Sequence, residues 1–297
     1  MYLPSRPIGD QGNQMHLSKY TASAAVIALG LATALPAVAA PFFSTGNPDG
    51  LMATATRPDT GAPGVFEIES ADDFALSAGT SITSATFTGL IPSNATVSSV
   101  VVEIYRVFPK DSNTVRTPAV PTRTNSPSDV AFDSRDSSSG LSFSVTPEGA
   151  FAAAKSVKPG GIHLPNFNTG GDGPVAGEEV QINTTFTDPF TLPADHYFFV
   201  PQVELSNGDF LWLSAPRPIA APGTPFPAGF TDLQSWTRDA ALDPDWLRVG
   251  QDIVGGTPFP TFNATFSLTG EAIPEPATLL MLGTAVVGLG LLRRRSA

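Results

Sequence analysis

The chain has 297 residues, a net charge of −11 and no cysteine. That acidity disfavours nucleic acid and anionic membrane surfaces as partners, and without thiols no disulfide can stabilise the fold. With 29 Pro, 27 Gly and 20 Phe but only 14% charged residues, the composition points to short strands joined by turns rather than to a helical bundle.

At the N-terminal side, Met15-His16-Leu17-Ser18-Lys19 is a short basic segment. An apolar stretch over residues 24–35 and then Pro36-Ala37-Val38-Ala39-Ala40 follow it. These are the three parts of a secretory signal peptide, with Ala37 and Ala39 as the small residues before a cut by signal peptidase after Ala39. Residues 1–14 carry no such pattern, so Met15 is the expected start. The chain then divides into an N-terminal extension with signal peptide (1–39), a body (40–270) and a C-terminal tail (271–297).

Within the body, period-2 alternation predicts strands. They fall over 81–90, 100–108, 141–145, 180–184 and 261–269, with two denser apolar strands over 196–205 and 209–214. Ser206-Asn207-Gly208-Asp209 between the last two predicts a hairpin turn. Residues 109–140 are rich in Pro, Ser, Thr and Asp and read as a long surface excursion, made relatively cationic by Lys110, Arg116, Arg123 and Arg135. Thr231 is placed to cap a short helix through Ala240, with Leu233, Trp236 and Ala240 on its covered face. Asp243-Pro244 begins a further turn. The predicted fold is all-β, an antiparallel β-sandwich of jelly-roll-like type, with a barrel as the alternative.

Chemistry is sparse. The body offers two histidines, His163 and His196, and no G-x-S-x-G element accompanies either. The acid pairs Asp72-Asp73, Glu178-Glu179 and Asp243 with Asp245 read as solvated turns, and adjacent strand residues point to opposite faces. Asn168-Thr169-Gly170-Gly171-Asp172-Gly173 offers oxygen ligands but lacks EF-hand spacing. No metal site, cofactor or catalytic residue is expected. Among Trp212, Trp236 and Trp246, the last is the candidate for an exposed platform that stacks on a sugar ring.

The tail is the most specific feature. Pro274 and Pro276 flank Glu275 and hold an extended approach. The 16 residues 277–292 carry no charge, and Arg293, Arg294 and Arg295 follow. A helix of that length spans roughly 24 Å, which snorkelling arginines extend toward the bilayer thickness. Three terminal arginines predict a cytoplasmic end, a single transmembrane helix and a body outside the inner membrane.

The Pro274-Glu275-Pro276 triplet, the apolar run and the arginine cluster together resemble the PEP-CTERM sorting signal, over about the last 25 residues. The resemblance implies recognition by an exosortase, removal of the tail during export, and association with extracellular polysaccharide or biofilm matrix. The catalytic residues of that step would belong to the exosortase. The expected function is therefore an exported cell-surface or extracellular protein, structural or adhesive and not an enzyme. A carbohydrate-binding module is the alternative, and a glycan hydrolase a more distant one.

Overall fold

A computed structural model describes residues 40–115, 120–160, 162, 168–216 and 231–273. In chain order the strands are β1 (Phe43–Ser44), β2 (Met52–Ala55), β3 (Ile68–Leu76), β4 (Thr80–Ile91), β5 (Val97–Arg106), β6 (Asp133–Asp136), β7 (Leu141–Ala153) and β8 (Lys155–Val157). They continue with β9 (Val175–Leu192), β10 (Asp195–Leu205), β11 (Leu211–Ala215), β12 (Trp236–Asp239), β13 (Leu247–Arg248), β14 (Asn263–Ala264) and β15 (Phe266–Ala272). One helical element is present among the described residues, a six-residue π-helical turn at Val249–Val254. The protein is all-β, as the alternation of apolar and polar residues predicts.

Two sheets form. In the six-stranded sheet the order is β13-β12-β3-β10-β5-β6, and every pairing is antiparallel. The nine-stranded sheet is built around β4. One edge of β4 pairs with β9, which carries β7; its other edge pairs with β15 and then with β11. From there β15 extends to β1, and β11 extends to β2 and to the short β14. Among the described strands the one parallel pair is β2 with β8.

The inward faces of both sheets meet in one aromatic core. Phe74 of β3 and Tyr197 and Phe199 of β10 join Phe87 of β4, Ile182 of β9 and Phe266 and Leu268 of β15, all nearly inaccessible to water. Phe199 and Phe266, from opposite sheets, stack with centroids 5.1 Å apart and planes 5° apart. Trp212 meets both rings and donates its Nε1–H to the Thr265 carbonyl at 2.7 Å, so its one polar atom is satisfied. Burying each such side chain contributes about 1.5–3 kcal/mol, which is how a chain without disulfides holds its fold.

Gly89 marks where β4 passes from β15 to β11. A Cβ there would stand 2.7 Å from the Leu211 carbonyl oxygen and inside the Phe210 ring. Only glycine lets the two strands and that ring approach so closely.

Three local expectations are corrected. Residues 231–240 form no helix: Trp236–Asp239 is a strand, and all four of its residues are buried because both of its faces are covered. The turn at 206–209 does not close a hairpin, since β10 and β11 lie in different sheets and the turn carries the chain across. The excursion over 109–140 contains β6 and a buried arginine, Arg123, at 7% exposure. Its described cations are paired with carboxylates near and far in sequence, Arg123 with Asp129 and Asp245, Arg135 with Asp133 and Asp188, and Lys110 with Asp195. Arg116 lies outside the described residues.

All described residues belong to one compact unit, 39–297. Among them no helix is long and apolar enough to cross a membrane. The segment expected to be a signal peptide and the apolar run 277–292 both lie outside them.

Candidate functional site

The richest polar chemistry lies on the outer face of the six-stranded sheet. Strand alternation turns Glu69, Ala71 and Asp73 of β3 outward, away from the core side that holds Ile68, Ser70 and Phe74. Beside them stand His196, Phe198 and Gln202 of β10, Glu103 and Tyr105 of β5, and Trp236 and Arg238 of β12. Val107, Ser128, Asp129 and Ala131, with Pro244 and Trp246 after β12, cover the middle of this face, so Glu69 and Arg238 are interior.

At its centre Arg238 pairs with Glu69 through Nε. The same guanidinium donates to the Tyr105 hydroxyl at 3.0 Å, to the Pro244 carbonyl at 3.1 Å and to the Asp129 carbonyl at 3.3 Å. Tyr105 donates to Glu69 Oε1 at 2.6 Å, and its oxygen lies 3.1 Å from Glu103 Oε2. Burial, reinforced by the neighbouring Glu69 charge, pushes the Glu103 carboxyl up to about 8, so Glu103 is protonated at neutral pH. Arg238 also pairs with Asp243 Oδ1 at 3.0 Å.

Trp246 belongs to this cluster. It is 1% exposed, its ring lies 4.4 Å from the Arg238 guanidinium carbon, and its Nε1–H donates to the Ser128 carbonyl at 3.2 Å. Tyr105 meets it edge-on at 5.4 Å. The exposed stacking platform expected at Trp246 is therefore not there, because the ring is needed to shield Arg238 from solvent.

Nearer the sheet's end, His196 Nε2 lies 2.5 Å from Asp73 Oδ2, and the backbone N–H of Leu233 donates to both oxygens of Asp73 at 3.0 and 3.1 Å. Burial pulls the imidazole down to about 4 against the opposing pull of Asp195 and Asp232, so at neutral pH it is a neutral hydrogen-bond donor. Asp72 points the other way into the interior, where it accepts from the Ala264 N–H. Burial, with Asp73 next in weight, pushes its carboxyl well above the usual range. The solvated turn expected at Asp72-Asp73 is a buried strand, with the two residues at 1% and 2% exposure.

Beside Trp236 an open cleft of about 270 Å³ is lined by Thr124, Asn125, Asp232, Gln234, Trp236 and Arg248 among others. Arg248 is fixed by Asp252 through contacts of 2.5 and 2.9 Å and lies 5.9 Å over the Trp236 ring. Trp236 Nε1 and Gln234 Oε1 are buried without hydrogen-bond partners. The Trp236 ring is itself 2% exposed, so what the cleft presents is polar side chains, which suit a polar ligand. No sequence spacing announces this cleft, since its walls come from four separate segments, around residues 122–125, 232–236, 248 and 261.

The other expected sites fall as follows. Glu178 and Glu179 sit on β9, both half-buried. Asp172 accepts from the Lys158 N–H at 2.7 Å, and among the described residues no group of three or more His, Asp or Glu is placed to hold a metal ion. His163, Ala37, Ala39, Pro274, Glu275, Pro276 and Arg293, Arg294 and Arg295 lie outside the described residues.

Two of three comparisons with known proteins returned nothing: no curated protein and no solved structure matches this chain. The third places a class on it, since a family model describing the PEP-CTERM protein-sorting motif matches residues 272–295. The chain carries that motif at its C-terminal end, a signal for exosortase sorting and export.

Proposed function

We propose that this is a structural or adhesive protein of the cell surface or extracellular matrix, non-catalytic, whose working part is the β body, a jelly-roll-like sandwich. The single observation that carries the reading is the sorting motif, which begins on the last residue of β15. In this reading signal peptidase removes residues 1–39, using Ala37 and Ala39. The run 277–292 anchors the body to the inner membrane with Arg293–Arg295 cytoplasmic, and the exosortase then cuts near Pro274-Glu275-Pro276. The engagement of Asp73, His196, Glu69 and Arg238 with one another supports a packing role for these groups rather than turnover. Association with exopolysaccharide or biofilm matrix follows from the same route.

Carbohydrate binding is the second reading. Its support moves from Trp246 to the polar lining of the cleft beside Trp236, since the Trp236 ring is as buried as Trp246. The intact mass of protein recovered from outside the producing cell tests the main reading. Loss of residues 1–39 and of the tail beyond Pro276 is the expected result. Full-length polypeptide dissolved in the cytosol would overturn it.

A further inference from the structure

The outward face of the nine-stranded sheet is an in-register lattice of hydroxyls and amides. On β4 the core-facing Ala85 and Phe87 alternate with Ser84, Thr86 and Thr88. Thr86 pairs with Asn183 of β9, and Asn183 with Ser144 of β7. On its other side Thr86 pairs with Ser267 of β15, and Ser267 with Ser44 of β1. One row therefore crosses five strands as Ser144, Asn183, Thr86, Ser267 and Ser44. A parallel row runs Ser142, Thr185, Ser84 and Thr269, and a third runs Thr146, Gln181 and Thr88.

Not one of these positions is charged, on a chain of net charge −11. Neighbours are about 4.8 Å apart across strands and roughly 6.8 Å apart along them, a pitch set by the sheet itself. The rows are internally ordered: Thr86 Oγ1 and Ser267 Oγ are 2.6 Å apart, and Asn183 donates to Thr146 at 3.3 Å. Within the lattice a concavity of about 150 Å³ is lined by Ser44, Asn47, Thr86, Thr88, Gln181 and Ser267.

Hydroxyls and primary amides both donate and accept, so this face matches a polymer whose own surface is hydroxyl. It offers no cation to a phosphate or a uronate, and the acidic chain repels both. Nor does it offer the buried aromatic or arginine anchors that protein interfaces use. We propose that this face binds neutral, hydroxyl-rich polysaccharide lying along the rows. The proposal rests on the reading of an exported matrix protein and names its partner. Each contact is individually weak, and affinity comes from repetition along the polymer.

Affinity electrophoresis of the full-length chain in detergent tests this, through gels carrying hydroxyethyl cellulose, soluble starch or polygalacturonate. Retardation by a neutral polymer and none by polygalacturonate is the expected result. The double substitution Ser144→Glu with Asn183→Asp places charge in the central row and should weaken binding by about tenfold or more. Circular dichroism and thermal melting check its fold, and Asn183→Asp alone, nearly isosteric, serves if the pair does not fold. The proposal is overturned if neither neutral polymer retards the wild type, if all three polymers retard it equally, or if a folded variant binds as tightly as the wild type. Light scattering that shows a wild-type dimer broken by the same substitutions, without glycan retardation, would also overturn it and assign the face to a second copy. Absent binding in a chain that is exported and trimmed sinks this proposal alone. Binding by a chain found untrimmed in the cytosol sinks the export reading alone.

Discussion

Arg238 stands directly opposite Glu69 in the β12–β3 register, and their ion pair is held with side chains 6% and 4% exposed. Taking both charges out of water is costly, and the pair is tolerable because Tyr105, two carbonyls and the Asp243 carboxylate fill the remaining valences. Removing one partner leaves the other charge stranded. Arg238→Met is therefore expected to destabilise the protein by about 3–5 kcal/mol in urea unfolding. Glu69→Met combined with Arg238→Met should cost less than Arg238→Met alone, because no uncompensated charge remains. A double variant at least as unstable as the single would refute this.

Glu103 sets the alkaline side of the stability profile. Its carboxyl titrates near 8 in the folded protein against about 4.5 in the unfolded chain. Between those values the folded state holds a proton that the unfolded state has released, so stability falls as pH rises from about 4.5 to about 8. The slope from this group approaches about 1.4 kcal/mol per pH unit. Glu103→Gln should flatten that limb, raising Tm relative to the parent at pH 8 and leaving the two alike near pH 4. Parallel Tm–pH curves over this window would exclude the assignment.

Trp246→Ala should read out as lost stability rather than lost binding. The ring fills space against Tyr105 and Arg238, so truncation is expected to cost about 3–5 kcal/mol. Glycan retardation of whatever remains folded should be unchanged. Selective loss of glycan binding with unaltered unfolding would reverse the conclusion.

Gly89→Ala tests the crowded junction of β4 and β11. The added methyl meets the Phe210 ring and the Leu211 backbone, and the backbone cannot yield without breaking the pairing. A cost of about 1–3 kcal/mol is expected from overpacking, visible as a lower urea midpoint. An unchanged midpoint would mean that the strands separate freely there.

Alternation is a local property, and the strands with one wet face were legible from it. The segments over 81–90, 141–145 and 180–184 all pair as strands in the nine-stranded sheet, where Ser and Thr alternate with core residues. Residues 236–239 were not legible, because covering both faces erases the period-2 signal and leaves a helix-like spacing of Leu233, Trp236 and Ala240. The turn at 206–209 shows the same limit in another form. Its Asn-Gly chemistry correctly marks a reversal, but which sheet receives β11 depends on β2 and β4, far away in sequence. Burial of Arg123 and Trp246 likewise depends on each finding distant partners, Asp245 for the first and Ser128 and Tyr105 for the second. The sorting motif was legible because its recognition is linear and needs no fold.

The position of β15 constrains the order of events. It lies inside the nine-stranded sheet, with β1 on one side and β4 on the other, and the Ile273 N–H ties its end to the Gly79 carbonyl at 2.7 Å. The first and last strands of the body thus wait for each other, so the sheet closes only after residue 272 has been delivered to the far side. Once closed, it leaves one residue, the tied Ile273, between the end of β15 and Pro274. In the proposed reading, cutting near Pro274-Glu275-Pro276 and closure of the sheet draw on the same few residues.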